Sequence, residues 1–272
     1  MKQRAAKSKG GPPPSVFHSF PNGLGEFVDA LVKAVRDLGA DVRTETRIVR
    51  VEKIATDAAK QGNSARYKVH IAGPSGLETL ECDAAILGMQ GYAIADVIRE
   101  VDDEMARDLG EVPYVSSAVV GLAYTRSSVN HALNATGIIT TDKSDQPIMA
   151  VTFLSSKWAG RAPDDAALFR VFMGGAGRED MLSVPDAELI RIAASELQKL
   201  VGTSGEPTLA RVYRHERASA QPVLGHDARV ARVRAKEKAH PGLFVVGAAM
   251  DGVGIPDCVR QATDLAKRVL AD

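Results

Sequence analysis

The stretch "FVVGAAMDGVGIPDCVRQATDLAKRVLAD", Phe244 to Asp272, decides the reading of this chain. "LFVVG", Leu243 to Gly247, is a short apolar strand, and "PDCVRQATDLAKRVL" is a helix. Spacing puts Val259, Ala262, Ala266 and Val269 or Leu270 on the helix's inner face. Between them lies "AAMDGVGI", where Gly252 and Gly254 permit a positive φ or the close approach of another group. Pro256 suits the first helical position, where its missing N–H costs nothing. Ile255 before it has no oxygen with which to cap the helix. Asp257 could satisfy one of the first amides; the others need a partner, and the positive end of the helix favours an electron-rich or anionic one. The same residues also fit a tight strand-to-helix connection with no ligand.

Upstream, "GEFVDALVKAVRDLGA" is an amphipathic helix with Phe27, Leu31, Ala34, Val35 and Leu38 on one face and Gly39 as its stop. "DVRTETRIVRVEKI" holds one or two short strands. "RYKVHIAG" alternates, with Tyr67, Val69 and Ile71 on one side. "CDAAILGM" reads as a strand buried on both faces. The middle changes character. "SSAVVGLAY", "PIMAVTFL" and "ALFRVFMGG" are strand-like and imply a mixed or antiparallel sheet. "SVPDAELIRIAASELQKLVG" is the clearest helix, with Ser183 as cap, Pro185 and Asp186 in the first turn, and Leu189, Ile192, Leu197 and Leu200 as the buried stripe. Strand-like "LARVYRH" precedes the closing unit. The expected fold is α/β (α+β), the two chain ends forming one layer and the middle inserted as a second domain.

Composition narrows the function classes. The 272 residues carry 34 Lys plus Arg and 34 Asp plus Glu, so charge makes no case for nucleic acid. No apolar run approaches the roughly 20 residues of a membrane span. The basic start "MKQRAAKSKGG" is not followed by an apolar signal region, and residues 1–15 read as a flexible lead-in. A cytoplasmic location is the expectation. Cys82 and Cys258 have neither metal nor redox spacing, and the six histidines show no metal spacing. "FMGGAGRED" and "NGLGEF" each lack the third glycine of a dinucleotide fingerprint and read as a loop and a helix start. No Gly-x-Ser-x-Gly elbow supports a serine nucleophile.

"GVGIPDCVRQATDLAKRV" resembles the closing flavin motif of the bacterial porphyrinogen oxidases, members of the monoamine-oxidase-like FAD superfamily. "FHSFPNGLGEFVDAL", "TRIVRVEKI", "SSKWAGRAPDDAALFRVFMGG" and "GHDARVARVRA" resemble further segments of that family in the same order. The resemblance runs from about residue 16 to the end. It implies an FAD-binding domain from 16–88 and 236–272, and a substrate domain from 89–235. It implies that Ile48 contacts the adenine through its backbone. Gly252, Val253, Gly254 and Ile255 then approach the flavin and ribityl chain, and Gly247 lets the last strand pass close to the cofactor. On this reading the turn needs no acid or base, because the flavin supplies the redox chemistry and the helix amides stabilise negative charge at its N1–C2=O edge. No catalytic side chain is assigned.

Departures accompany the resemblance. The family's N-terminal Gly-x-Gly-x-x-Gly unit is not found, nor is the helical segment associated with substrate and membrane contact. Ala262 replaces a usual Gly, His215 a usual Trp, and Gln90 a common Pro. The implied reaction is oxidation of coproporphyrinogen III or protoporphyrinogen IX to the porphyrin with oxygen as acceptor, in haem biosynthesis. A large, flat substrate with propionates needs an apolar slot and basic anchors, for which Arg126, Lys157 and Arg161 are candidates. Partners are the porphyrinogen, oxygen and an absent N-terminal half, with peripheral membrane contact through the absent segments. The alternatives are another amine-oxidase-like FAD enzyme, or a non-catalytic remnant lacking half the cofactor cradle.

Overall fold

The computed structural model of the chain describes residues 18–54, 65–141 and 147–270, and the lead-in expected at 1–15 lies outside them. Helix α1 (Leu24–Asp37) precedes an antiparallel meander of β1 (Arg47–Lys53), β2 (Tyr67–Gly73) and β3 (Gly76–Cys82). Strand β3, "GLETLEC", goes unanticipated because its polar residues give no alternation. The hairpin turn creates it: Gly73 pairs with Gly76, whose φ of +102° requires glycine. Strand β4 (Ala85–Leu87) follows, then two short helices, α2 (Gly91–Ile98) and α3 (Asp103–Gly110), also unanticipated. Asp102 caps α3, its carboxylate accepting the Met105 N–H at 2.8 Å.

The middle of the chain is one antiparallel sheet. It comprises β5 (Tyr114–Thr125), β6 (Gly137–Ile139), β7 (Ile148–Phe153), β8 (Ala166–Gly174) and β9 (Leu209–Ala220), in the order β6-β7-β8-β5-β9. The single helical turn α4 (Leu154–Lys157) follows β7. Helix α5 (Asp186–Val201) covers one face, burying Leu189, Ala193, Leu197 and Val201 against Val120, Leu122, Phe169 and Val171. Ile192 and Leu200 pack against the same core from its margin. Ser183 is not the cap of α5. Pro185 occupies the N-cap position, and the Ser183 hydroxyl donates to Asp180 O at 2.7 Å, spent on the 3₁₀ turn before the helix.

The closing segment is α6 (His226–Ala239), β10 (Leu243–Val245) and α7 (Ile255–Val269). Strand β10 pairs in parallel with β4, so the two chain ends do form one layer. Its core includes Val51, Tyr67, Leu87, Ile94, Met105, Leu109, Val233 and Val245. Helices α2, α3 and α6 therefore pack with β4 and β10, not with the antiparallel sheet. The antiparallel sheet with α5 has a separate cluster of buried residues, to which those three helices contribute none.

Three expected faces are turned differently. In α1 the apolar residues share a face, but none is buried. In β4, Ala85 and Leu87 are buried while Ile86 is 51% exposed, so only one face is covered. In α7 the buried residues are Gln261 and Leu265, and Val259, Ala262 and Ala266 point outward. The physical reason lies at the sheet edge: Gln261 Oε1 accepts the Gly247 N–H at 3.1 Å, and satisfying that amide turns the helix.

Candidate functional site

The C-terminal ends of β4 and β10 meet where the glycine turn begins. Gly247 has φ +115°, and a Cβ there would sit 3.7 Å from Gly88 O. The Met250 N–H donates to Gly247 O at 3.0 Å, closing a tight turn. His226 is buried, with Nε2 3.0 Å from Met250 O, which ties α6 to the turn. Asp251 is gripped from both flanking helices: Arg234 Nη2 donates to its carboxylate at 2.8 Å and Arg260 Nη2 to its carbonyl at 3.0 Å. Gly252 has φ +120°, and a Cβ would fall 2.6 Å from Asp257 Cγ, so no side chain fits.

Gly254 is the N-cap of α7 and no side chain caps the helix. Asp257 does not fill that role. Its carboxylate instead accepts Arg260 Nη1 at 2.9 Å. The bare head of α7 is flanked by Val253 and Ile255, each 52% exposed. A helix end with no side-chain cap, although the Asp257 and Cys258 N–H groups donate to Gly254 O, its partial positive charge, glycines without Cβ atoms and two open apolar side chains fit an electron-rich aromatic ring system. The place is right as well, at the carboxyl ends of parallel strands.

Residues 7–270 match the family described as flavin containing amine oxidoreductase. This chain belongs to that family. It is 31% identical to coproporphyrinogen III oxidase of Propionibacterium freudenreichii subsp. freudenreichii across 96% of this chain and 46% of that protein. With coproporphyrinogen III oxidase of Bacillus subtilis (strain 168) it shares 33% identity across 67% of this chain and 39% of that protein. A crystal structure from Exiguobacterium sp. 255-15, whose name proposes a protoporphyrinogen oxidase, superposes with TM-score 0.78 at 24% identity, covering 95% of this chain and 53% of that one. The amine oxidoreductase fold is thus shared, and the chain spans about half the length of the curated relatives it matches.

The remaining expected residues are spread over the molecule. Ile48 lies half-buried on β1, the edge strand of its sheet, beside a bulge between Ile48 and Arg50, and packs against the core that also holds Met250. A groove of about 580 Å³ next to it is lined by Val49, Arg50, His70, Asp96 and Arg99 and does not include the head of α7. Arg126 donates to Val129 O at 2.8 Å and His131 O at 3.1 Å. Arg161 donates to Ser19 Oγ and Phe20 O, both at 2.8 Å, and so anchors the approach to α1. Lys157 Nζ lies 5.6 Å from the Trp158 ring centroid.

Sequence reasoning missed the other face of the antiparallel sheet. Register aligns Ile139, Ala150, Phe172, Val119 and Tyr213 in one row across all five strands. The next row is Gly137, Thr152, Arg170, Gly121 and Arg211. This face lies opposite α5 and is open or half-open along its length. Alternation in each strand hinted at two faces, but only the register assembles the rows. At the junction of the lobes, the Gly91 N–H donates to Tyr114 OH at 2.8 Å and Arg217 stacks over the Tyr92 ring at 3.8 Å. Burial pushes the Tyr114 hydroxyl pKa above the ordinary tyrosine range. Among the described residues no helix is long and apolar enough to cross a membrane.

Proposed function

We propose that this chain supplies the ring-facing turn and the substrate-facing sheet of an FAD-dependent porphyrinogen oxidase of haem biosynthesis, with oxygen as acceptor. The observation that carries the reading is the uncapped head of α7 between open Val253 and Ile255, in a flavin family whose matched relatives are named for coproporphyrinogen III. Gly247, Gly252, Val253, Gly254 and Ile255 would hold the flavin end, and the backbone of Ile48 the adenine end. FAD, when bound, supplies two-electron chemistry that no side chain here can. The chain's own part is to hold the Asp251–Ile255 turn through Arg234 and Arg260, and to present the positive end of α7 beside the open apolar side chains of Val253 and Ile255.

For the substrate, the row from Ile139 to Tyr213 offers an apolar platform five strands wide, about 20 Å at ordinary strand spacing. Arg170 and Arg211 border it two strands apart, suited to pairing propionates. Arg126 and Arg161 are each held by two acceptors, whereas Arg211 makes one bond, to Ala210 O at 3.1 Å, and Arg170 lies 5.2 Å from the Phe172 ring centroid. Lys157 remains a third cation near the same domain.

The test is a titration with FAD followed by flavin fluorescence and absorbance, then addition of each porphyrinogen with porphyrin absorbance as readout. Saturable quenching that Gly254→Trp abolishes, with porphyrin formed from one macrocycle in preference to the other, is expected. A flavin spectrum unaltered by the chain, or quenching that Gly254→Trp leaves intact, sinks the assignment.

A further inference from the structure

Two arginines of β9 are held in opposite ways. The Arg214 guanidinium is fully engaged by the protein, donating to Leu182 O at 2.9 Å, to Val184 O and to the Asp186 carboxylate. Three residues on, the Arg217 guanidinium meets no carboxylate or carbonyl among the described residues. It is exposed, and its central carbon lies over the Tyr92 ring, 3.8 Å from the centroid. A contact that short uses the face of the cation and leaves its in-plane N–H donors free.

Both lobes contribute to the mount of this cation. Tyr92 meets Tyr114 edge-on, ring centroids 5.1 Å apart, and the Tyr114 hydroxyl accepts the Gly91 N–H. Gly91 abuts the glycine turn: a Cβ there would fall 3.2 Å from Ala249 Cβ and 2.7 Å from Leu109 O, so no side chain fits. The backbone of Arg217 sits at φ +43°, in the left-handed region that a residue with a Cβ rarely adopts. It lies opposite the register break between Val115 and Ser117. There its N–H donates to Ser116 Oγ at 2.8 Å and its carbonyl accepts the Tyr92 hydroxyl at 3.4 Å. Backbone held in a disfavoured setting by its surroundings is found mostly at binding and catalytic sites. The result is a fixed cation with free donors where the antiparallel sheet meets the glycine turn.

We propose that Arg217 is a carboxylate-binding residue of the substrate site, taking a side-chain carboxylate of the macrocycle at the end of β9 remote from Arg211. The assignment rests on the substrate reading proposed above and not on flavin binding. Arg170 and Arg211 share one row of the sheet, so they serve carboxylates on one edge of a flat ring laid over Tyr213. Arg217 follows Arg211 by six positions, roughly 20 Å at ordinary strand rise, with Tyr213 between them. It therefore serves the opposite edge. A planar fork already fixed on an aromatic ring loses little freedom when it pairs with a carboxylate through two N–H bonds. A macrocycle with carboxylates on both edges gains that pair, and one with carboxylates on a single edge does not. An arginine that only fastened the lobes together would make no such distinction.

The test follows porphyrin fluorescence during titration of the chain, without FAD, with two stable probes. Coproporphyrin III carries a propionate on each of its rings; protoporphyrin IX carries its propionates on neighbouring rings at one edge. Arg217→Gln should weaken coproporphyrin III about tenfold and protoporphyrin IX less than threefold, while Arg211→Gln weakens both. Arg217→Lys keeps a cation but loses the fork, and Tyr92→Leu removes the mount; each should weaken coproporphyrin III at least threefold with far-UV circular dichroism unchanged. If Arg217→Gln fails to fold, those two variants decide by the same comparison. Coproporphyrin III affinity indifferent to the variants overturns the assignment. So does equal weakening of both probes, which marks a residue that only shapes the fold. Selective weakening with no flavin quenching in the FAD titration overturns the FAD reading alone; flavin quenching with unselective porphyrin binding overturns this assignment alone. Binding of neither probe overturns it together with the substrate reading.

Discussion

Glu237→Ala should loosen the strand that leads into the glycine turn. Glu237 is buried, its Oε1 accepting the Val245 N–H at 2.6 Å and Arg234 Nη1 at 2.9 Å. Removing it leaves one buried amide without an acceptor, a loss of about 1–3 kcal/mol. It also deprives Arg234 of one of two carboxylate partners, and breaking a buried pair from one side costs about 3–5 kcal/mol. Asp251 still holds the guanidinium, which is partly exposed, so the pair contributes less than that range and about 3 kcal/mol is the expected total. That is a large share of the roughly 5–15 kcal/mol that stabilises a domain. Glu237→Gln keeps an acceptor for Val245 and should cost only about 1 kcal/mol. Trp158, the single tryptophan, lies outside this lobe and would not report the change. Amide exchange at Leu243 and Val245 would: about 3 kcal/mol is more than a hundredfold in protection. Protection in Glu237→Ala within threefold of the parent protein would refute the claim that this side chain replaces a strand at the β10 edge.

Other outcomes follow from single contacts. Gly252→Ala, with φ +120° and a Cβ 2.6 Å from Asp257 Cγ, should cost about 1–3 kcal/mol and weaken flavin binding; a thermal midpoint equal to the parent's would contradict the strain. Tyr114→Phe leaves the Gly91 N–H at the head of α2 without its acceptor, for about 1–2 kcal/mol in urea unfolding followed by circular dichroism, and removes from alkaline ultraviolet titration a tyrosine that ionises above the ordinary range. Asp102 is held below the ordinary carboxylate range: burial pushes its pKa up, but the Met105 N–H, His240 and Lys236 together outweigh it. A depressed folded pKa means that this stabilisation is complete above the unfolded value near about pH 4 and is lost as pH falls through the folded one. Asp102→Asn should therefore flatten that acid limb of stability, and an unchanged acid limb would exclude the residue as its source.

The sequence alone determined the closing strand, the glycine turn and the helix after it, because each has a local cause: an apolar run, residues tolerant of positive φ, and proline in a first turn. The long helix α5 and its stripe were legible for the same reason, as was the strand-rich middle, although mixed and antiparallel pairing both stayed open there. The family motif added the flavin reading and the expectation for Ile48. Tertiary structure decided which faces are covered. Helix α7 looks apolar along Val259, Ala262 and Ala266, yet it turns Gln261 inward, where its oxygen accepts the Gly247 N–H two residues past β10. Arg126 and Arg161 read as anions' partners in sequence, but nearby backbone carbonyls claim them. The row that joins Phe172 to Tyr213 comes from strand register, and residues 41 positions apart have no local signal of alignment. Local sequence sets periodicity and turns; the satisfaction of buried polar groups and the pairing of distant strands choose among the faces that periodicity allows.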